Sequence, residues 1–375
     1  MQRRSMQRRS ILAGISLLAT LSSPLLRADD ESDNDRGGQF LYTMSNAAAA
    51  NMVMVYRRMA GGVLSPVGPV ATGGKGAGKG LGSQGSLVLS NSGNWLLAAN
   101  AGSDDISVLR VTSSGLTLAS RTPSGGHMPI SITVSGRMVY VLNAGTPNNI
   151  TGFRLGQSGS LTAIPNGSAP LSTPFANGAQ VQFNADGEQL VVTEKGTNLI
   201  DVFPVGHNGA LGSRLSTPSH GLTPFGFAFG KRNRLLVSEA FGGAANASAA
   251  SSYSLNDSGV LDVVSGSVGT QQSAACWLVI DPSGRHAYTT NTGSNTVSLF
   301  NVDSYGTLTL VSSVAGSTPT GGPIDAAFSA DGRYLHVLTG GAASIVTFQV
   351  QSNGSLVSVN TVTAPASAAG LAAAQ

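Results

Sequence analysis

Seven recurrences of one short pattern predict an all-β fold, a seven-bladed β-propeller with four antiparallel strands per blade. Three observations carry that prediction. An apolar strand closed by a polar residue returns every 43 to 55 residues along the chain. Each copy is flanked by further strand-like segments joined through glycine turns. Sustained 3.6-residue periodicity is missing from the body of the chain, which excludes a solenoid of helices.

The recurring strands are FLYTMS (40–45), WLLAAN (95–100), MVYVLN (138–143), QLVVTE (189–194), RLLVSE (234–239), HAYTTN (286–291) and YLHVLT (334–339). Before all but the first comes an apolar strand and a tight turn, as in VQFNADGE, LVIDPSGR and AAFSADGR. Asp-Gly and Ser-Gly between apolar runs mark hairpins, because glycine accepts the positive φ that such turns demand. A third strand with period-two alternation follows, for example DISVLRV, NTVSLFNV and ASIVTFQV, and then a glycine-anchored fourth such as YGTLTLVSS. Four strands per unit of 45 to 50 residues, repeated seven times, is the arithmetic of a β-propeller. The first unit lacks its leading strand, and the chain finishes SAAGLAAAQ, an echo of the IDAA that opens the last unit. The C-terminal segment is therefore expected to supply the innermost strand of blade 1 and leave no open edge in the ring.

The domain plan is an export signal over 1–28, a flexible acidic tether over 29–38 and one propeller over 39–375. The first 28 residues run from Arg3, Arg4, Arg8 and Arg9 through an apolar stretch, Ile11 to Leu21, to Arg27 and Ala28. That is the order of an export leader, too short to span a bilayer. Arg8 and Arg9 also fit a twin-arginine signal. The formal charge of +3 belongs to this leader, since without its five arginines 16 basic residues face 18 acidic ones. Such a body lacks the basic footprint of a nucleic-acid binder. It is expected in the periplasm or secreted, with no membrane span once the signal is removed. Cys276 is the sole cysteine and sits in an apolar run, so it reads as a buried small hydrophobe. The glycine-rich stretch 73–85 lacks the hydroxyl residue and the following helix of a phosphate-binding loop, and reads as a mobile connection.

If hairpins join the first two strands of each unit, the starts of the first and the ends of the second share one rim of the central channel. Ser45, Asn100, Asn143, Glu194, Glu239, Asn291 and Thr339 would then ring that mouth, the default binding site. Glu194 and Glu239 lie on consecutive blades and are the candidate catalytic pair, since neighbouring carboxylates can split their pKa values. Asn100, Asn143 and Asn291 are candidate substrate amides, and His127 and His220 stand beside the same rim. No metal-ligand spacing occurs, so neither a metal nor a cofactor is expected.

The Asp-Pro-Ser-Gly-Arg and Ser-Ala-Asp-Gly-Arg turns, the Asn-Thr-Val-Ser-Leu-Phe third strand and the Gly-Thr-Leu-Thr-Leu fourth strand resemble those of the lactonase-type seven-bladed propellers. These include bacterial 6-phosphogluconolactonase and the fungal carboxymuconate-lactonising enzyme. The resemblance covers residue 38 to the C-terminus. It implies an acid/base role for Glu239, which stands where the family carries a strand-end glutamate. It also brings departures. The family's histidines at the starts of blades 3 and 4 are replaced by Pro129-Ile130-Ser131 and Asn177-Gly178-Ala179-Gln180, and its Arg-His pair in blade 5 by Phe225-Gly226. Few cations remain to hold a phosphate. The expected function is a lactone (carboxylic ester) hydrolase acting on a small lactone or carbohydrate-like ligand. The alternative is a non-catalytic exported propeller that binds a ligand or a protein partner at the channel mouth.

Overall fold

The structure is a computed structural model and describes residues 39–374. The export signal over 1–28 and the tether over 29–38 lie outside the described residues. Within them the chain forms seven four-stranded antiparallel sheets. Blades 2 to 7 each run outward in chain order. Their inner strands are Leu87–Leu89, Pro129–Ser135, Gly178–Phe183, Pro224–Phe229, Ala275–Ile280 and Pro323–Phe328. These six and the C-terminal strand touch one another in a closed cycle around the axis.

Blade 1 is built from both ends of the described chain. Its inner strand is Ala369–Ala373, paired antiparallel with Phe40–Met44, and Met52–Arg58 and Leu64–Ala71 complete it. Leu41 faces Ala373 and Thr43 faces Leu371 in the register. The Ala374 amide donates to the Phe40 carbonyl at 2.8 Å, and the Ser367 hydroxyl to Ser45 O at 2.7 Å. The ring closure expected from the sequence is present.

The second strand of each blade is covered on both faces, because neighbouring blades stack against it. Leu96, Leu97, Ala98 and Ala99 are all fully buried. That explains why these strands read as continuous apolar runs, whereas the outermost strands alternate. Leu97, Ile106 and Val108 of blade 2 pack on Ile132, Val139 and Val141 of blade 3, and similar clusters fill the other interblade gaps. In the hairpin turns Gly284 and Gly332 take φ of 71° and 66°, which the turn type requires.

One loop departs from expectation. The stretch 73–85 is pinned, not loose. Gly76 N–H bonds to Ala47 O at 2.9 Å, Gly78 N–H to Asn46 O at 2.8 Å and Lys75 N–H to the Ser103 hydroxyl at 2.8 Å. A Cβ on Gly76 would fall 2.1 Å from the Asn46 carbonyl carbon, so the close approach needs glycine there.

Candidate functional site

The seven strand-end side chains do not open into the channel. Asn100, Asn143, Glu194, Glu239, Asn291 and Thr339 are each 0% exposed and Ser45 6%. They turn into their own blades and bond to the third strand or to the loop that covers it. Asn100 Nδ2 donates to Asp105 at 2.6 Å and to Ser107 at 2.7 Å, and its carbonyl accepts from Asn51 and Thr72. Asn291 Nδ2 donates to Thr296 at 3.1 Å and Ser298 at 2.8 Å. Asn143 lies beside Thr151 and the Ser124 carbonyl. Each blade thus carries a polar centre, and the expected open mouth of amides and carboxylates is corrected to buried networks within the ring, those of Ser45 and Asn100 joined through Asn51. A buried polar group is costly unless bonded, and a serine or threonine of the third strand supplies a partner for Asn100, Asn143, Glu239 and Asn291.

The two glutamates belong to different networks. Glu194 accepts from the Ser172 amide at 2.9 Å, from the Ser172 and Thr197 hydroxyls, and shares a hydrogen bond with Asp201 of its own blade. Burial works to raise Glu194, but these bonds outweigh it and hold the carboxyl below its usual range. Asp201 is pushed up to about 7, first by burial and then by the Glu194 contact. The pair therefore shares one proton below about pH 7. Glu239 accepts from the Gly221 amide at 2.8 Å, from Ser251, and from Ser267 at 2.7 Å. Its partners all lie in blade 5 or the loop before it, and Glu194 draws on none of them.

His127 and His220 are both exposed. His127 Nδ1 sits 2.8 Å from the Asp104 carboxylate in a surface contact. His220 Nδ1 lies 2.9 Å from the Ser267 hydroxyl, and through that hydroxyl it is linked to Glu239. The structure thus brings Glu239 and His220 together and leaves Glu194, His127 and the three asparagines in separate places.

The channel differs at its two ends. At the strand-start end, Phe225 and Trp277 pack with ring centroids 5.0 Å apart among Ala179, Ala240 and Cys276. The Trp277 indole N–H donates to Ser83 O at 2.9 Å, from blade 6 to blade 2. The Gln84 amide makes a similar crossing, donating to Leu278 O at 2.9 Å and accepting from Leu278 N–H at 3.2 Å. Lys195 Nζ caps this plug, 4.6 Å from the Phe225 ring centre and bonded to Gly82 O. Burial lowers Lys195 to about 8.

Below the plug is a chamber of about 250 Å³ between blades 1, 2, 3, 4 and 7, lined by Gln84, Thr133, Gln180, Gln182 and Asp325 among apolar neighbours. It shares Gln84, Leu87, Gln182 and Leu371 with a wider cavity of about 680 Å³ that reaches Pro282 and Ser329 in the hairpin turns. Gln180 is fixed by accepting from Phe227 N–H at 2.7 Å and donating to Phe227 O at 2.9 Å. Asp325 is 2% exposed. One of its oxygens accepts from Ala326 N–H at 2.8 Å, and Oδ2 has no hydrogen-bond partner among the described residues. Burial pushes this carboxyl up to about 8, against the opposing pull of the Ala326 and Leu371 amides. Sequence reasoning missed Asp325, although an acid inside the otherwise apolar inner strand Pro-Ile-Asp-Ala-Ala-Phe was a visible signal. It also missed Ser267.

Among the described residues no group of three or more His, Cys, Asp or Glu side chains is placed to hold a metal, and no helix is long and apolar enough to cross a membrane.

No curated protein matches the chain. Solved structures do. The periplasmic gluconolactonase of Pseudomonas aeruginosa superposes with a TM-score of 0.69 at 18% identity, over 88% of this chain and 98% of that one. A provisionally assigned 6-phosphogluconolactonase of Bacteroides fragilis gives 0.69 at 19% identity, over 91% and 99% of the two chains. A Lactobacillus plantarum protein gives 0.72 at 17%, over 89% and 98%. At these identities the likeness speaks for the fold. The family model described as a seven-bladed β-propeller lactonase matches residues 32–175 and 248–374. The stretch it passes over, 176–247, holds blade 4, the first half of blade 5, and two of the three departures, Asn177 to Gln180 and Phe225-Gly226. Well over half of the chain is matched, and the chain belongs to the lactonase family of seven-bladed β-propellers.

Proposed function

We propose that the protein hydrolyses a small, uncharged lactone bound in the channel chamber, with Asp325 as the acid/base group. The observation that carries this reading is the fully buried Asp325 carboxyl, one oxygen anchored and the other unpartnered, on the wall of a chamber otherwise lined by fixed amides and apolar side chains. Ionised Asp325 would take a proton from water as it attacks the lactone carbonyl, then return it to the departing ring oxygen. A base with a pKa near the working pH suits that exchange, and turnover should rise with pH through about 8 as Asp325 ionises. Neutral polar walls suit a carbohydrate-like lactone better than a phosphorylated one. The leader sequence and the periplasmic gluconolactonase neighbour support action outside the cytoplasm.

The filled strand-start end of the channel favours a second reading, a propeller that binds such a ligand without turning it over. Asp325→Asn decides between them. Against a panel of sugar and aliphatic lactones, the hydrolase reading expects the variant to lose roughly 10²- to 10⁴-fold in kcat with its fold intact. Absence of turnover by the wild type, with lactone binding retained, would establish the binding reading instead.

A further inference from the structure

A second constellation lies away from the channel, in the outermost strand of blade 5, Leu261–Gly269. Its register against the third strand jumps from Ala250–Val268 to Ser252–Ser265, so Gly266 and Ser267 bulge opposite Ser251. Ser267 takes a φ of 40°, a left-handed conformation that a non-glycine residue adopts only under constraint. Its hydroxyl is 2.7 Å from Glu239 Oε2 and 2.9 Å from His220 Nδ1. The Ser267 hydroxyl donates to Glu239, which leaves its oxygen as the acceptor for a His220 Nδ1–H. Glu239 is oriented in turn by the Gly221 amide and the Ser251 hydroxyl. The carboxylate is fully buried, Ser267 is half-buried and His220 is exposed, so the chain of bonds leads from the blade interior to solvent. Bare backbone underlies the imidazole, since a Cβ on Gly266 would fall 2.3 Å from His220 Nε2.

The other blades lack this combination. The corresponding strand ends in blades 2, 3 and 6 are the amides of Asn100, Asn143 and Asn291, which take no proton, and in blade 4 the Glu194 carboxyl is engaged by Asp201. Among these strand ends of the described residues, only that of blade 5 sets a half-buried hydroxyl against a carboxylate with no second acid beside it.

We infer that Ser267 is a nucleophile for acyl transfer from small esters, with Glu239 as its general base and His220 steadying the charge that develops on Oγ. A nucleophile in hydrogen-bond reach of a base that is itself held by a third group is the arrangement such chemistry uses. Glu239 takes the hydroxyl proton as Oγ bonds to the acyl carbon. The bond from that carbon to the leaving alcohol breaks, and the proton passes from Glu239 to the alcohol. Water then cleaves the acyl-serine, giving up its proton by the same route and releasing the acid.

Phenylmethanesulfonyl fluoride is the probe. It transfers its sulfonyl group to an activated serine hydroxyl and releases fluoride, while the hydroxyl proton goes to the base. With the full chain, peptide mass mapping should place one sulfonyl group on Ser267 in preference to the other serines. Glu239→Gln should slow that labelling at least ~10²-fold. His220→Ala, an exposed change that leaves the fold alone, should slow it roughly 3- to 10-fold, the worth of one hydrogen bond. Wild-type Ser267 that stays unlabelled overturns the inference, as does labelling at an equal rate in folded Glu239→Gln. If that variant does not fold, an unchanged rate in His220→Ala overturns it.

Discussion

Asp201 and Glu194 are two acids within one hydrogen bond, both shut away from solvent. The folded state keeps Asp201 protonated up to about 7, while the unfolded chain releases that proton near its ordinary 3.8. The unfolded state therefore gains by ionising first. The contribution to stability is fully present below the lower value and is lost as pH rises through the folded one. Asp201→Asn keeps a donor for Glu194 and removes the titration, so its melting temperature should vary less than that of the wild type between pH 4 and pH 8. Circular dichroism melts across that range test it, and parallel curves for the two proteins would refute the shared proton. Gly226 makes a second residue-scale case. A Cβ there would lie 2.1 Å from Gln84 Oε1 and 2.8 Å from the Cys276 carbonyl. Gly226→Ala should therefore cost about 1 to 3 kcal/mol in urea unfolding, the usual penalty of overpacking, by forcing out the amide that ties blade 2 to blade 6.

At the scale of the element, the second strands were legible to the residue, from Trp95–Asn100 to Tyr334–Thr339. Burial on both faces removes the alternation that blurs most strand boundaries, and glycine turns mark the ends. The side chains that close those strands were legible as polar but not as buried. Their partners, Ser107, Thr151, Asp201 and Ser298, sit in the centre of apolar third strands, where a polar residue asks for a buried bond. That pattern was on the page, and pairing it with the strand ends would have taken Asn100, Asn143, Glu194 and Asn291 out of the candidate mouth. Glu239 and His220 were named from their place in the unit, but Ser267 was not, because a bulge in an outer strand has no sequence signal beyond Gly266 beside it. The cross-channel bonds were out of reach altogether. Gln84 and Leu278 are 194 residues apart, and no local rule relates them.

For the molecule as a whole, stability rests on closure, since each sheet buries its faces only against its neighbours. Deleting residues 366–375 strips blade 1 of its inner strand and exposes the edge of Phe40–Met44. The truncated protein should melt well below the full chain and associate in a concentration-dependent way. Scanning calorimetry with light scattering tests both, and an unchanged melt would show that the ring holds without its last strand.

Closure also sets a clock. Thr43 meets its partner Gly370 across 327 residues of sequence. Ribosomes add about 5 to 20 residues per second, so roughly 15 to 65 seconds separate the birth of the two strands. For that interval blade 1 waits with a bare backbone edge, able to pair with any strand that passes. A nascent chain with this wiring depends on something to shield that edge, either a chaperone or a route that keeps the polypeptide unfolded until its far end has emerged.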